Sequence, residues 1–149
     1  MEKLQEYVWD QPLYTQVFFA LVEATAKLVD VSEKYWQSTG QNGARIRILV
    51  EIMKEGGSLL PSLLAQKIGV TKANISLLLV PLEKDGFIRR DSHPTDGRKA
   101  VISITSEGQT FLLNHLPGNR RSIAGRLQVL TDGELEQLAS LLNKLKNQD

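Results

Sequence analysis

Between Leu60 and Thr105 the chain reads LPSLLAQKIGVTKANISLLLVPLEKDGFIRRDSHPTDGRKAVISIT, and this stretch limits the fold more than any other. Two short helical patterns are separated by a glycine-bearing turn. Two short apolar segments then flank a charged tip that contains proline and glycine. Pro61 stands where a first helical turn tolerates a missing N–H, and Gly69 stands where a helix should stop. Thr71 offers a hydroxyl to cap the next helix, with Val70 and Ile75 at the two positions of a hydrophobic staple. Gly86 closes that second helix. Phe87-Ile88 and Ala100 to Ile104, with Ile102 and Ile104 on one face, read as the two strands of a hairpin.

Helix, tight turn, helix and basic hairpin is the order of a winged helix-turn-helix, a DNA-binding unit. The distribution of charge agrees with it. Residues 1–60 carry 6 Lys/Arg against 8 Asp/Glu, residues 61–104 carry 7 against 4, and residues 105–149 carry 5 against 5. The positive excess therefore falls on the segment suspected of meeting phosphate.

Three separated pieces of the hairpin carry a more specific likeness. They are Gly86-Phe87-Ile88-Arg89-Arg90, Pro94-Thr95-Asp96-Gly97-Arg98 and Ile104-Thr105-Ser106-Glu107-Gly108. Together they resemble the wing signature of the MarR family of bacterial transcription regulators, and chain length and helix order extend the resemblance over nearly the whole chain. The fold it implies is mostly α with a small β-hairpin wing. A winged helix-turn-helix core at about 41–105 would sit between N- and C-terminal helices, about 10–38 and 106–147, that form a dimerisation arm within one domain.

The flanks read as helices in need of a partner surface. After a polar lead-in (residues 1–10), Asp10 or Gln11 caps a helix with Pro12 in its first turn. Leu13, Val17, Leu21, Ala24 and Leu28 line one face, and the helix runs on to the Ser38-Thr39-Gly40 stop. Seven of the nine aromatics fall in the first 36 residues, so either packing or a small-molecule pocket lined by Tyr14, Phe18, Tyr35 and Trp36 could use them. A second amphipathic helix spans 44–55 and ends at Gly56-Gly57; Arg45 and Arg47 on it read as surface charges. Beyond the wing, Thr105 or Ser106 caps a helix to about Leu116, Pro117-Gly118 breaks or bends it, and a further helix spans about 120–130. A capping box at Thr131 to Glu134 then opens a last helix striped by Leu135, Leu138, Leu141, Leu142 and Leu145.

Within the recognition helix, Ile75, Leu79 and Leu82 belong to the core. Thr71 and Lys72 suit phosphate, Asn74 suits adenine, and Ser76 can address several bases. The run Leu77-Leu78-Leu79 must turn at least one leucine outward, and Leu77 is placed to meet thymine methyls or nothing. Pro81 removes one hydrogen bond from this helix. By resemblance, Arg98 enters the minor groove while Asp96 holds the wing loop, and Arg89, Arg90 and Lys99 are phosphate contacts. His93 is read as a plain wing residue.

Composition narrows the remaining choices. The chain has 149 residues, 42% of them hydrophobic and 23% charged, as in a globular protein of one domain. No apolar run approaches the ~20 residues of a membrane span, and the N-terminus does not read as a signal peptide, so a cytoplasmic location is expected. With no cysteine and two histidines, thiol switching is ruled out and a metal site is not expected. No cofactor motif is present either. The expected function is a sequence-specific regulator of transcription, a homodimeric repressor on a near-palindromic double-stranded operator, relieved by a small aromatic or phenolic ligand. The alternative is a winged-helix adaptor whose basic hairpin binds another protein, and an enzyme is a distant third.

Overall fold

Side chains at helix starts and glycines at helix ends set most element boundaries in this chain. A computed structural model describes residues 1–148. The elements run α1 (Glu2–Trp9), α2 (Leu13–Ser38), α3 (Gly43–Lys54), β1 (Ser58–Leu59), α4 (Pro61–Ile68), α5 (Lys72–Lys84), β2 (Ile88–Ser92), β3 (Ala100–Ile104), α6 (Ser106–Leu127) and α7 (Asp132–Lys146). Asn42 Oδ1 caps α3 by accepting from Arg45 N–H at 3.0 Å, and Glu33 Oε2 accepts from Gly43 N–H at 2.8 Å. Pro61 opens α4, and Gly69 ends it in the left-handed region at φ 82°. Thr71 Oγ1 accepts from Asn74 N–H at 3.1 Å to open α5, and the capping box at Thr131 and Glu134 is formed. Helices α4 and α5 meet at 104°, within the range of a helix-turn-helix.

The chain divides into two units. One runs from Glu33 to Ser122; the other joins Met1–Ser32 to the segment that begins at Ile123. The first holds the whole buried core. Ile48, Leu49 and Ile52 of α3, Leu64 of α4, Ile75, Leu79 and Leu82 of α5 and Ile102 of β3 are its fully buried side chains. The second contains α1, α7 and parts of α2 and α6, and none of its described residues is buried. Its Tyr14, Val17, Phe18, Val22, Leu141 and Leu145 are exposed, so its apolar stripes lack a cover within the chain.

Four readings are corrected by the structure. Residues 2–9, read only as part of a polar lead-in, form α1. The sheet has three strands, not two: Ser58–Leu59 pairs antiparallel with β3, giving the order β1-β3-β2, with Leu59 opposite Ile102. The hairpin strand β2 begins at Ile88 and extends to Ser92, with Ile88 opposite Ile104 and Ser92 opposite Ala100. Finally, Pro117 does not end a helix, because α6 is continuous from Ser106 to Leu127. An interior proline deprives the carbonyl four residues earlier of its donor. That carbonyl belongs to Leu113 for Pro117 and to Leu77 for Pro81. Both leucines are exposed, so water can take the donor's place and both helices run on.

A latch joins the wing to the helices on either side of it. Thr105 N–H donates to the Phe87 carbonyl at 2.9 Å, and Thr105 Oγ1 donates to the Gly86 carbonyl at 2.6 Å. The same hydroxyl accepts from Gly108 N–H at 3.1 Å, capping α6. A Cβ at Gly108 would meet the Phe87 carbonyl oxygen, and Ile104 Cγ1 at 2.8 Å, so no larger residue fits without backbone movement. Glu107 in the same turn accepts from its own backbone N–H, which holds its carboxyl below the usual carboxylate range. Gly108→Ala should therefore cost about 1–3 kcal/mol by overpacking, and Thr105→Val about 1–2 kcal/mol as a lost cap. Because both act on one contact set, denaturant melts of the double variant should show less than the sum of the two losses.

Candidate nucleic-acid interface

Helix α5 presents opposite faces to opposite environments. Ile75, Leu79 and Leu82 repeat at i, i+4 and i+7 and are buried. Thr71, Lys72, Asn74, Ser76 and Leu77 are all exposed, as a reading surface requires. Leu77 is 71% exposed, so of the three consecutive leucines it is the one that turns outward, while Leu78 is half-buried and Leu79 is buried. Thr71 spends its hydroxyl lone pair on the helix cap, and Ser76 Oγ donates to the Lys72 carbonyl at 3.1 Å. Ser76 therefore keeps only acceptor capacity toward a ligand, whereas no hydrogen bond ties down the Asn74 amide among the described residues.

The start of α5 and the base of the wing share one cleft. It encloses about 390 Å³ and is lined by Leu60, Pro61, Ser62, Lys72, Ile75, Ser76, Lys99 and Ala100. Neither Lys72 nor Lys99 forms an ion pair among the described residues, so two unneutralised ammonium groups border one concave surface, the charge that phosphate contacts require.

The wing tip is held by side chains bonding to their own backbone. His93 Nδ1 accepts from the N–H groups of Thr95 and Asp96, each at 3.2 Å, and lies 3.2 Å from Thr95 Oγ1. Asp96 Oδ1 accepts from Arg98 N–H at 3.1 Å and lies 3.4 Å from Arg98 Nε. His93 N–H and Lys99 N–H close the turn on the carbonyls of Lys99 and Asp96. Arg98 itself is 93% exposed at the side chain, so nothing but Asp96 occupies its guanidinium.

The two arginines of the first wing strand have partners. Arg89 Nε lies 2.8 Å from Asp91 Oδ2, and Arg90 Nε lies 3.0 Å from Glu83 Oε2 of α5. The Arg90 bridge ties the first wing strand to the recognition helix, so Arg90 serves position before it can serve phosphate. Exposed pairs of this kind are weak and can exchange a carboxylate for a phosphate at little cost.

Two contributions were not expected from the residues alone. His93 builds the tip, and the signal for it was there: a side-chain acceptor at the first position of a turn, two and three residues before free N–H groups. Arg47 donates to the Lys67 carbonyl at 3.3 Å and so caps the end of α4. Of the aromatics weighed for a ligand, Trp36 is only 2% exposed and packs in the core, edge to face with Tyr35 and tilted against Phe111. Tyr14 and Phe18 are exposed and belong to the other unit. The described residues also hold an apolar groove of about 410 Å³ lined by Val50, Met53, Leu112, Leu113 and Leu116, with Lys54 and Gln109 as its polar groups. No group of three or more candidate metal-ligating side chains occurs among the described residues. No single helix there is long and apolar enough to cross a membrane.

Comparisons with known proteins agree with this geometry. The MarR family pattern matches residues 39–99. The HTH-type transcriptional repressor YetL of Bacillus subtilis (strain 168) is 32% identical over 131 residues, which are 87% of this chain and 78% of that protein. Sco3205 of Streptomyces coelicolor, a MarR family transcriptional regulator crystallised in complex with DNA, superposes with a TM-score of 0.80. Its identity is 23%, over 92% of this chain and 91% of that one. The organohalide-sensing regulator RdhR, in a form bound to 2,4-dichlorophenol, superposes with a TM-score of 0.83 at 20% identity. That match covers 94% of this chain and 83% of that one.

The wing-tip geometry carries its own test. His93→Ala removes one acceptor from two backbone N–H groups on an exposed turn, so the melting temperature should change by no more than about 2 °C. Amide hydrogen exchange at Thr95 and Asp96 should accelerate by about tenfold, as expected for a local opening.

Proposed function

Because the chain belongs to the MarR family of transcription regulators, we propose that it is a homodimeric repressor that binds a near-palindromic DNA operator and leaves it when a small aromatic ligand binds. Repression of transcription is the role of YetL, to which the chain is 32% identical, and the family is one of transcription regulators. The observation that carries the DNA reading is the shared surface. The exposed face of α5 and the Lys72–Lys99 cleft continue into a wing whose foremost cation, Arg98, has only Asp96 for company.

Each residue then has a physical task. Thr71, Lys72, Arg89 and Lys99 meet phosphates, and Arg90 does so once Glu83 yields it. Asn74 offers a donor and an acceptor to a base edge in the major groove, Ser76 an acceptor and Leu77 an apolar contact. Arg98 enters the narrow, strongly negative minor groove beside them, while Asp96 and His93 keep the tip in shape. Dimerisation is supported by the unit that lacks a buried residue, since exposed apolar stripes on α2 and α7 gain most by covering one another in a second copy. For the ligand, the apolar groove beside α3 and α6 suits a planar hydrophobic body. Lys54 on its rim favours a carboxylate or phenolate.

The assembly is checked by light scattering at micromolar concentration. A mass near twice the 16.6 kDa of one chain is expected, and a mass of one chain refutes the dimer. The interface is checked by DNA-binding isotherms at two salt concentrations. Arg98→Ala should lose about 1–3 kcal/mol per half-site, nearly uniformly across operator variants, with an unchanged melting curve. Lys72→Ala should weaken every sequence and lower the salt slope by about one unit, whereas Asn74→Ala should relax discrimination at one or two positions. Unchanged affinity in a stable Arg98→Ala dimer ends the minor-groove assignment. For the ligand, benzoate-type acids titrated into the complex should release DNA. Leu113→Asp should bind DNA normally and lose that response; an equal response in the variant excludes the groove.

A further inference from the structure

On α5 a second apolar stripe lies opposite the first. Ala73, Leu77 and Val80 repeat at i, i+4 and i+7, the spacing of the buried Ile75, Leu79 and Leu82, but displaced by about half a turn of the helix. All three are exposed, Leu77 at 71% and Val80 at 55%. An outward helix face in water ordinarily carries charged or polar side chains, and here it carries aliphatic ones at three successive positions of one stripe. Cations without ion pairs among the described residues bracket it, Lys72 at the start of the helix and Lys84 at its end. The surface is thus a hydrophobic strip between positive charges.

That combination selects its occupant. A protein surface or a second copy would match the aliphatic strip but would need acids placed at both ends. A DNA major groove offers both features at fixed spacing, with phosphates on its rims and the C5-methyl groups of thymine on its floor. Lys72, next to the head of the strip, also lines the cleft that reaches Lys99 at the base of the wing. The polar readers nearby are few: Ser76 has committed its hydroxyl hydrogen to the Lys72 carbonyl and Thr71 accepts from Asn74 N–H in the helix cap, which leaves the Asn74 amide as the side chain with its full set of donors and acceptors.

We propose that Leu77 and Val80, with Ala73 leaving room for the helix to approach, read thymine methyl groups in the major groove and are the main determinants of operator sequence. This rests on the DNA-binding reading above and adds to it the chemistry of discrimination: apolar contact with T·A pairs in preference to hydrogen-bonded recognition of G·C pairs. Each methyl removed from the groove floor costs the complex the burial of one small apolar group.

The test uses the full-length protein and synthetic duplexes. Binding sites are first selected from a pool of randomised duplexes, and the winning duplex is then resynthesised with deoxyuridine in place of each thymine in turn. Uracil keeps every hydrogen-bonding group of thymine and lacks only the methyl. At one or two positions in each half-site the dissociation constant should rise by about fourfold, the factor equivalent to burying one methyl at ~0.8 kcal/mol. Leu77→Ala and Val80→Ala, both exposed and so expected to fold, should each bind the thymine and uracil duplexes equally at the position that the lost side chain reads. A selection that enriches no sequence overturns the DNA-regulator reading, and this inference with it. Selective binding that tolerates uracil everywhere, or a Leu77→Ala and Val80→Ala pair that both keep the wild-type uracil penalty, overturns the methyl reading alone and leaves the regulator intact.

Discussion

One threonine hydroxyl sets where the wing can lie. Thr105 Oγ1 donates to the Gly86 carbonyl just past the recognition helix and accepts from Gly108 N–H at the start of α6, while its backbone N–H holds Phe87. The end of α5, the second wing strand and α6 are thereby joined within one turn of chain. Since Gly108 leaves no space for a Cβ against Phe87 and Ile104, the junction has a single tight geometry. The reading face of α5 and the tip that carries Arg98 are therefore held at a fixed offset, as a protein must hold them to meet adjacent major and minor grooves together. The separated pieces of the wing signature, Gly86-Phe87 and Thr105-x-x-Gly108, are two halves of this one contact.

The parts of the fold legible in the residues are those written locally. Thr71, Pro61, Gly69 and Thr131 act within one turn of themselves, and each sits in the structure where its chemistry demands. Strand β1 was not legible, because two residues have no periodicity and Ser58–Leu59 is a strand only through β3, more than forty residues away. Pro117 misled for the opposite reason: its local effect is real, but the carbonyl it frees lies on an exposed stretch of helix where water can serve it. The site divides in the same way. The exposure of Leu77 followed from three leucines in a row, whereas the Arg90–Glu83 bridge and the Arg47 cap depend on how elements meet and left no trace in spacing.

The two units of the chain differ in what they need from outside. Glu33–Ser122 buries a continuous core from α3, α4, α5 and the sheet, and its exposed apolar groups are confined to a few places, above all the strip on α5 and the groove beside α6. The remainder buries no described residue and exposes aromatic and aliphatic side chains along α1, α2 and α7, an arrangement that isolated helices in water do not sustain. In the homodimer proposed above, a second copy would supply the missing cover and, by two-fold symmetry, a second reading head. The proposed sequence preference and the proposed assembly share one requirement, that exposed apolar surface be covered by a partner of matching shape.

The most direct measurement of that account is a hydroxyl-radical footprint of the protein on its selected duplex. Two protected stretches related by a two-fold axis are expected, their centres about 10 bp apart on one face of the helix. A single protected stretch of one half-site, at protein concentrations that saturate the duplex, would contradict it.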